Sequence, residues 1–161
     1  MRKNIMVLLI STILSLNCHI LEHTIYDFDI QKFSFATFSH EEQSVTFTDS
    51  NGVEWTVCVQ YNNTDNSVKN DRISNGNHTI SVTSVILSMH FCVLVNTNYI
   101  VQVSDEGYST EIYQVVSDVL TRVSGSCAKY ELTCVSGFSF TTKWLKCEIQ
   151  SDGTLTVTSK L

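Results

Sequence analysis

The chain has 161 residues, with 16 acidic against 10 basic side chains and a formal net charge of −6. That length makes one ordinary domain able to bury a real core, and the acidic balance argues against nucleic acid or an anionic membrane surface as a partner. Proline is absent altogether, which removes one common means of stiffening loops.

Arg2 and Lys3 open the chain, an apolar run follows over 5–16, and the polar Asn17, Cys18 and His19 come next. A basic start before an apolar stretch of this length is the pattern of a secretory signal, and the run is shorter than the ~20 residues needed to cross the hydrocarbon. The sequence therefore predicts a signal peptide over 1–18 and a single secreted domain over 19–161, with no membrane insertion after cleavage. Small residues are poorly placed for cleavage, so retention of the leader as an anchor stays open. Loss of Arg2 and Lys3 leaves 8 basic against 16 acidic residues, a net −8.

Cysteine use points to the same compartment. Besides Cys18, the thiols are Cys58, Cys92, Cys127, Cys134 and Cys147, and in an oxidising lumen some of them are expected to pair. Cys127 and Cys134 either close a local bridge across a hairpin or belong to two different bridges. Two sequons, Asn62-Asn63-Thr64 and Asn77-His78-Thr79, fall in a polar stretch expected to be a surface loop, where Asn62 and Asn77 would accept glycans.

Short runs of alternating apolar and polar residues, rich in Val, Ile, Thr, Tyr and Phe, predict strands over 26–33, 42–48, 55–61, 79–87, 91–95, 98–104, 129–133 and 154–159. In 55–61, Trp55, Val57, Val59 and Tyr61 share the face expected in the core, and Thr56, Cys58 and Gln60 the other. Asn51-Gly52 is a hairpin signal, since both residues tolerate positive φ, and Asp105-Glu106-Gly107 and Ser151-Asp152-Gly153 read as further turns. The connection over 62–77 is long and polar. The segment 111–123 has near-helical apolar spacing but enough valine for a strand. Reversals this tight predict an all-β antiparallel sandwich with at most one short helix.

No catalytic pattern stands out. His90 and Cys92 would share one face of a strand, but no further ligand pair completes a metal site, so no metal or cofactor is expected. The carboxylate pairs Asp27/Asp29 and Glu41/Glu42 are explained by surface charge, and no Gly-x-Ser-x-Gly elbow or phosphate loop occurs. Aromatic residues are more informative. Phe28, Phe33, Phe35, Phe38 and Phe47 cluster early, and Phe138, Phe140 and Trp144 late; most are expected in the core, a few along a groove of the kind that binds extended peptides.

Three segments together resemble the meprin and TRAF homology family. Phe28-Asp29-Ile30-Gln31-Lys32-Phe33-Ser34 is similar to that family's opening strand, with Lys32 where Asn is usual. Ser44-Val45-Thr46-Phe47 and then Gly52-Val53-Glu54-Trp55-Thr56-Val57-Cys58-Val59 resemble its next hairpin, and Gly137-Phe138, Trp144-Leu145 and Asp152-Gly153-Thr154-Leu155-Thr156-Val157 its closing pattern. The Trp-bearing strand departs from the family by running into Tyr61-Asn62-Asn63 in place of a Pro-Gly turn. The resemblance implies a TRAF-like sandwich of about eight strands that binds a protein or peptide without catalysis, with Gly137 and Phe138 the only groove positions that carry across and a homo-oligomer among the possible assemblies. A different extracellular sandwich, stapled by disulfides and binding a glycan or small ligand through its loops, is the alternative.

Overall fold

The computed structural model of the protein describes residues 30–35, 42–62, 75–136 and 138–161. The predicted leader, Cys18, positions 26–29 of the first predicted strand, most of the polar connection and Gly137 lie outside the described residues.

Two five-stranded antiparallel sheets face each other. One contains β2 (Gln43–Thr48), β3 (Glu54–Tyr61), β4 (Gly76–Thr83), β5 (Leu87–Asn96) and β6 (Tyr99–Thr110), side by side in chain order. The other runs β1 (Ile30–Phe35), β10 (Leu155–Lys160), β9 (Ser139–Ile149), β8 (Cys127–Ser136) and β7 (Gln114–Arg122). The chain thus crosses between sheets after β1 and after β6; β2 to β6 form a plain meander, and β7 to β10 form another to which β1 adds by pairing with β10. The architecture is an all-β sandwich, with ten strands where about eight were expected and no helix among the described residues.

Period-two patterning builds the core. β3 buries Trp55, Val57 and Val59, and β5 buries Leu87, Met89, Phe91, Val93 and Val95. Tyr130 and Leu132 of β8, Leu145 and Cys147 of β9 and Val157 of β10 belong to the same buried cluster. Each fully buried large apolar side chain contributes roughly 1.5–3 kcal/mol. A one-residue slip of β3 would turn Trp55, Val57 and Val59 outward and Thr56, Cys58 and Gln60 inward, so burial fixes the register. The edges are tied across the layers: the Phe33 and Phe47 rings lie 5.2 Å apart, and the Ile100 N–H of β6 donates to the Gly125 carbonyl beyond β7 at 2.7 Å.

Several expectations are corrected. The ambiguous segment 111–123 is strand β7, because its valines pair with β8 in an antiparallel ladder. Asp105-Glu106-Gly107 is not a turn but a bulge inside β6: His90 faces Gly107 and Cys92 faces Ser104, leaving Asp105 and Glu106 opposite Phe91 alone. Asp105 takes φ 52° there, a backbone shape common to turns and bulges alike. The predicted strand 79–87 splits at Ser84, whose hydroxyl accepts the N–H groups of Ile86 and Leu87 at 3.2 Å. β9 was not foreseen at all, since its first four residues are exposed and only its second half alternates.

Candidate functional site

Four connections emerge at one end of the sandwich: β2–β3, β4–β5, β6–β7 and β8–β9. The β2–β3 turn is the most fully bonded. Asp49 accepts the N–H groups of Asn51 and Val53 on Oδ1, at 2.8 and 2.9 Å, and the buried Trp55 ring N–H on Oδ2 at 3.0 Å. Gly52 supplies the positive φ, 81°, that the reversal needs. Burial opposes ionisation of Asp49, but the Trp55, Val53 and Asn51 donors and nearby Lys143 outweigh it and hold the carboxyl below its usual value.

The neighbouring connections are tied together. The Thr110 hydroxyl donates to the Ile86 carbonyl at 2.9 Å and accepts the N–H groups of Ile112 and Tyr113, which joins β4–β5 to β6–β7. The Lys143 ammonium of β9 sits 5.4 Å from the centre of the Tyr113 ring, which joins β6–β7 to the β8–β9 hairpin. On this tied base stand side chains that the fold does not bury. Phe138 is fully exposed at the hairpin tip, Phe140 is 73% exposed beside it, and Val85 and Ile112 project from the two adjacent connections. Scattered surface apolar residues are ordinary, but a grouping on one end of a sandwich is the kind that marks an interaction site.

No family model matches the chain, and no curated protein does. Among solved structures, the crystal structure of the hypothetical protein lmo2686 from Listeria monocytogenes EGD-e is similar at 23% identity and a TM-score of 0.45, over 75% of this chain and 96% of that one.

The other candidate residues lie apart from this end. Asn77 is exposed on β4, not in a loop, because pairing with Leu94 extends that strand back to Gly76. Asn62 is exposed just after β3, and its amide donates to the Thr79 hydroxyl at 2.5 Å. The two sequon asparagines are thus neighbours, with the Asn62 N–H donating to the Asn77 carbonyl at 2.8 Å. His90 and Cys92 do share the outer face of β5. His90 lies over Gly107, where an added Cβ would come within 2.5 Å of the ring, and the Cys92 sulfur is 3.2 Å from the Thr79 hydroxyl. Among the described residues no three His, Cys, Asp or Glu side chains are grouped to hold a metal.

Among the described residues no disulfide forms: Cys58, Cys92, Cys127, Cys134 and Cys147 are all unpaired. Geometry supplies the reason. Cys127 and Cys134 lie near the two ends of the same strand, β8, roughly 23 Å apart at about 3.3 Å per residue. Cys58 and Cys92 stand on β3 and β5 with β4 between them, about 9.5 Å across two strand spacings and beyond the ~7 Å reach of a bridge. Cys127 faces Glu148 and Cys147 faces Ala128, so these diagonal neighbours point to opposite faces of the sheet. Burial pushes Cys147 up to about 12, and burial with the Glu42 charge pushes Cys58 up to about 11. Burial raises Cys127 and Cys134 as well. These are protonated thiols at neutral pH and hence poor nucleophiles.

Of the two groove residues, Gly137 lies outside the described residues, and Phe138 stands free at a hairpin tip in place of lining a groove. Val85 and Ile112 had no signal in the sequence as exposed residues, since Val85 falls within the predicted strand 79–87 and Ile112 within the ambiguous segment 111–123, and only the breaks at Ser84 and after Thr110 leave them in connections. Phe140 had a partial one. It falls five residues before Leu145, an odd offset that sets it on the opposite face of β9 from the buried Leu145 and Cys147, and the pairing with Val135 places it near the tip.

Proposed function

We propose that this chain is a secreted protein-recognition module that binds a protein or peptide through the apolar loop end of its sandwich, without catalysis. The observation that carries the reading is the β8–β9 hairpin, which holds Phe138 and Phe140 in water although the core has aromatic positions in plenty. Leaving two large rings exposed costs solubility and gains the fold nothing, whereas aromatic side chains are the ones most enriched at binding hot spots. The tied connections beneath them form a firm base, which lowers the entropy lost on docking. The function agrees with what the resemblance to meprin and TRAF homology domains implies, and it rests on the exposed end and not on that kinship. Secretion is supported by the leader-like start and by sequon asparagines that are both exposed.

Selection of a displayed random-peptide library on the purified chain tests the proposal. Enriched peptides are expected to bind the Phe138→Ser, Phe140→Ser double variant at least ~30-fold more weakly, the loss that follows from removing a hot spot worth about 2 kcal/mol. The variant should melt like the parent, because neither ring packs in the core. Peptides that bind both proteins equally would sink the assignment of the site. Binding on a glycan array that the same variant abolishes would move the site to the loop-based glycan reading.

A further inference from the structure

We infer that a second copy of this chain pairs along the free edge of β7, joining two five-stranded sheets into one continuous sheet of ten strands. β7 ends its sheet, with β8 as its sole strand partner among the described residues. It is unusually open for a strand: from Ser117 to Arg122 every residue but Leu120 is exposed. An edge of this kind is a template for another strand, and natural edges are protected by bulges, charges or covering segments. Here a register shift between Val115 and Ser117 distorts only the half of the strand nearest the loop end. The other half is regular.

The backbone of that half is aimed outward in the right places. The Val123 N–H donates to the Cys127 carbonyl at 2.9 Å, so the odd-numbered residues of this half turn their backbone groups toward β8. Asp118, Leu120 and Arg122 turn theirs to the open side, since the two kinds alternate along an antiparallel strand. A two-fold axis through Leu120 would place Leu120 against Leu120, Asp118 of one copy against Arg122 of the other, and Arg122 against Asp118. All three are pairs whose backbone groups face the partner. Both ion pairs arise from one operation, and their side chains fall on the same face of the sheet, since directly opposed residues in an antiparallel pair share a face. Centring the axis on Val119 or Thr121 would lose both ion pairs.

The charges are disposed for this use. Arg122 forms no salt bridge within the described residues. Asp118 accepts the Tyr130 hydroxyl on Oδ2 at 3.2 Å, which leaves Oδ1 for a partner's guanidinium. Val119 and Val123, both more than half exposed, would face Thr121 and Ser117 of the second copy and lose water there. The loop end with Phe138 lies beyond the bulge, so the dimer would display two copies of the proposed recognition end.

Sedimentation velocity over a concentration series of the purified chain tests the inference. The parent is expected to be a dimer at micromolar concentration, and Arg122→Asp, which sets like charges against each other twice, should weaken association roughly 10- to 100-fold. The double variant Asp118→Arg, Arg122→Asp restores two complementary pairs and should recover the dimer, an outcome that a general loss of folding would not produce. A chain that is monomeric at all concentrations overturns the inference, as does a dimer indifferent to Arg122→Asp. Amides of Asp118, Leu120 and Arg122 that exchange slowly in a monomer would overturn it too, by showing that another segment of the same chain covers the edge.

Discussion

Removing the Asp49 carboxylate should destabilise the whole sandwich from a single turn. In Asp49→Ala the Trp55 ring N–H, on a side chain only 1% exposed, loses its acceptor, and a buried donor left unsatisfied costs about 1–3 kcal/mol. The N–H groups of Asn51 and Val53 lose their partner as well, but they lie near water and add about 1 kcal/mol between them. The sum of about 2–4 kcal/mol should lower the melting temperature by roughly 6–14 °C in a domain of this size. Asp49→Asn keeps one carbonyl oxygen, enough for either the turn or the indole, and should fall near the middle of that range. The effect has a pH signature. Because the folded carboxyl titrates below its unfolded value, its stabilisation is complete above the unfolded pKa of about 3.9 and fades as pH falls through the lower folded value. The gap between parent and Asp49→Ala should therefore narrow as pH falls below that range. Thermal melts followed by tryptophan fluorescence at pH 7 and pH 3 measure both terms, and an Asp49→Ala protein that melts within 2 °C of the parent at pH 7 would refute the reasoning.

Three further outcomes follow from local features. Ser159 is fully buried and its hydroxyl has no hydrogen-bond partner among the described residues, so Ser159→Ala should leave stability unchanged or raise it by up to about 1 kcal/mol in a urea titration. Thr97, in the β5–β6 turn, is a β-branched residue at φ 52°, and Thr97→Asn should stabilise by about 0.5–1 kcal/mol, because asparagine tolerates that conformation better. Thiol titration of the unfolded, unreduced chain should find Cys58, Cys92, Cys127, Cys134 and Cys147 all reactive, and a loss of any two as a bridge would contradict the strand registers.

The sandwich was legible because burial imposes a period of two and most strands obey it. Trp55, Val57 and Val59 point inward as the alternation requires. Asn51-Gly52 and Ser151-Asp152-Gly153 mark turns because a positive φ is needed at each glycine. Where legibility failed, the deciding interaction was distant in sequence. Asp105-Glu106-Gly107 has the composition of a turn, and only the ladder to β5 carries the chain straight through it. The valines of 111–123 fit either a helix or a strand until β8 supplies the pairing. Disulfide pairing was illegible for another reason: it depends on which strands are neighbours and which face each thiol takes, and neither is written in spacing along the chain. The loop end was half legible, with Phe138 noticed through a family pattern and Val85 and Ile112 revealed only when four connections met at one end.

Whether the loop end of the sandwich is where a peptide docks is decided by amide chemical-shift mapping. A library-selected peptide titrated into the isotope-labelled chain should shift resonances at Val85, Ile112, Phe138 and Phe140 while leaving the outer sheet faces away from that end unchanged. Shifts concentrated on those sheet faces, with the four loop-end residues unmoved, would contradict the account.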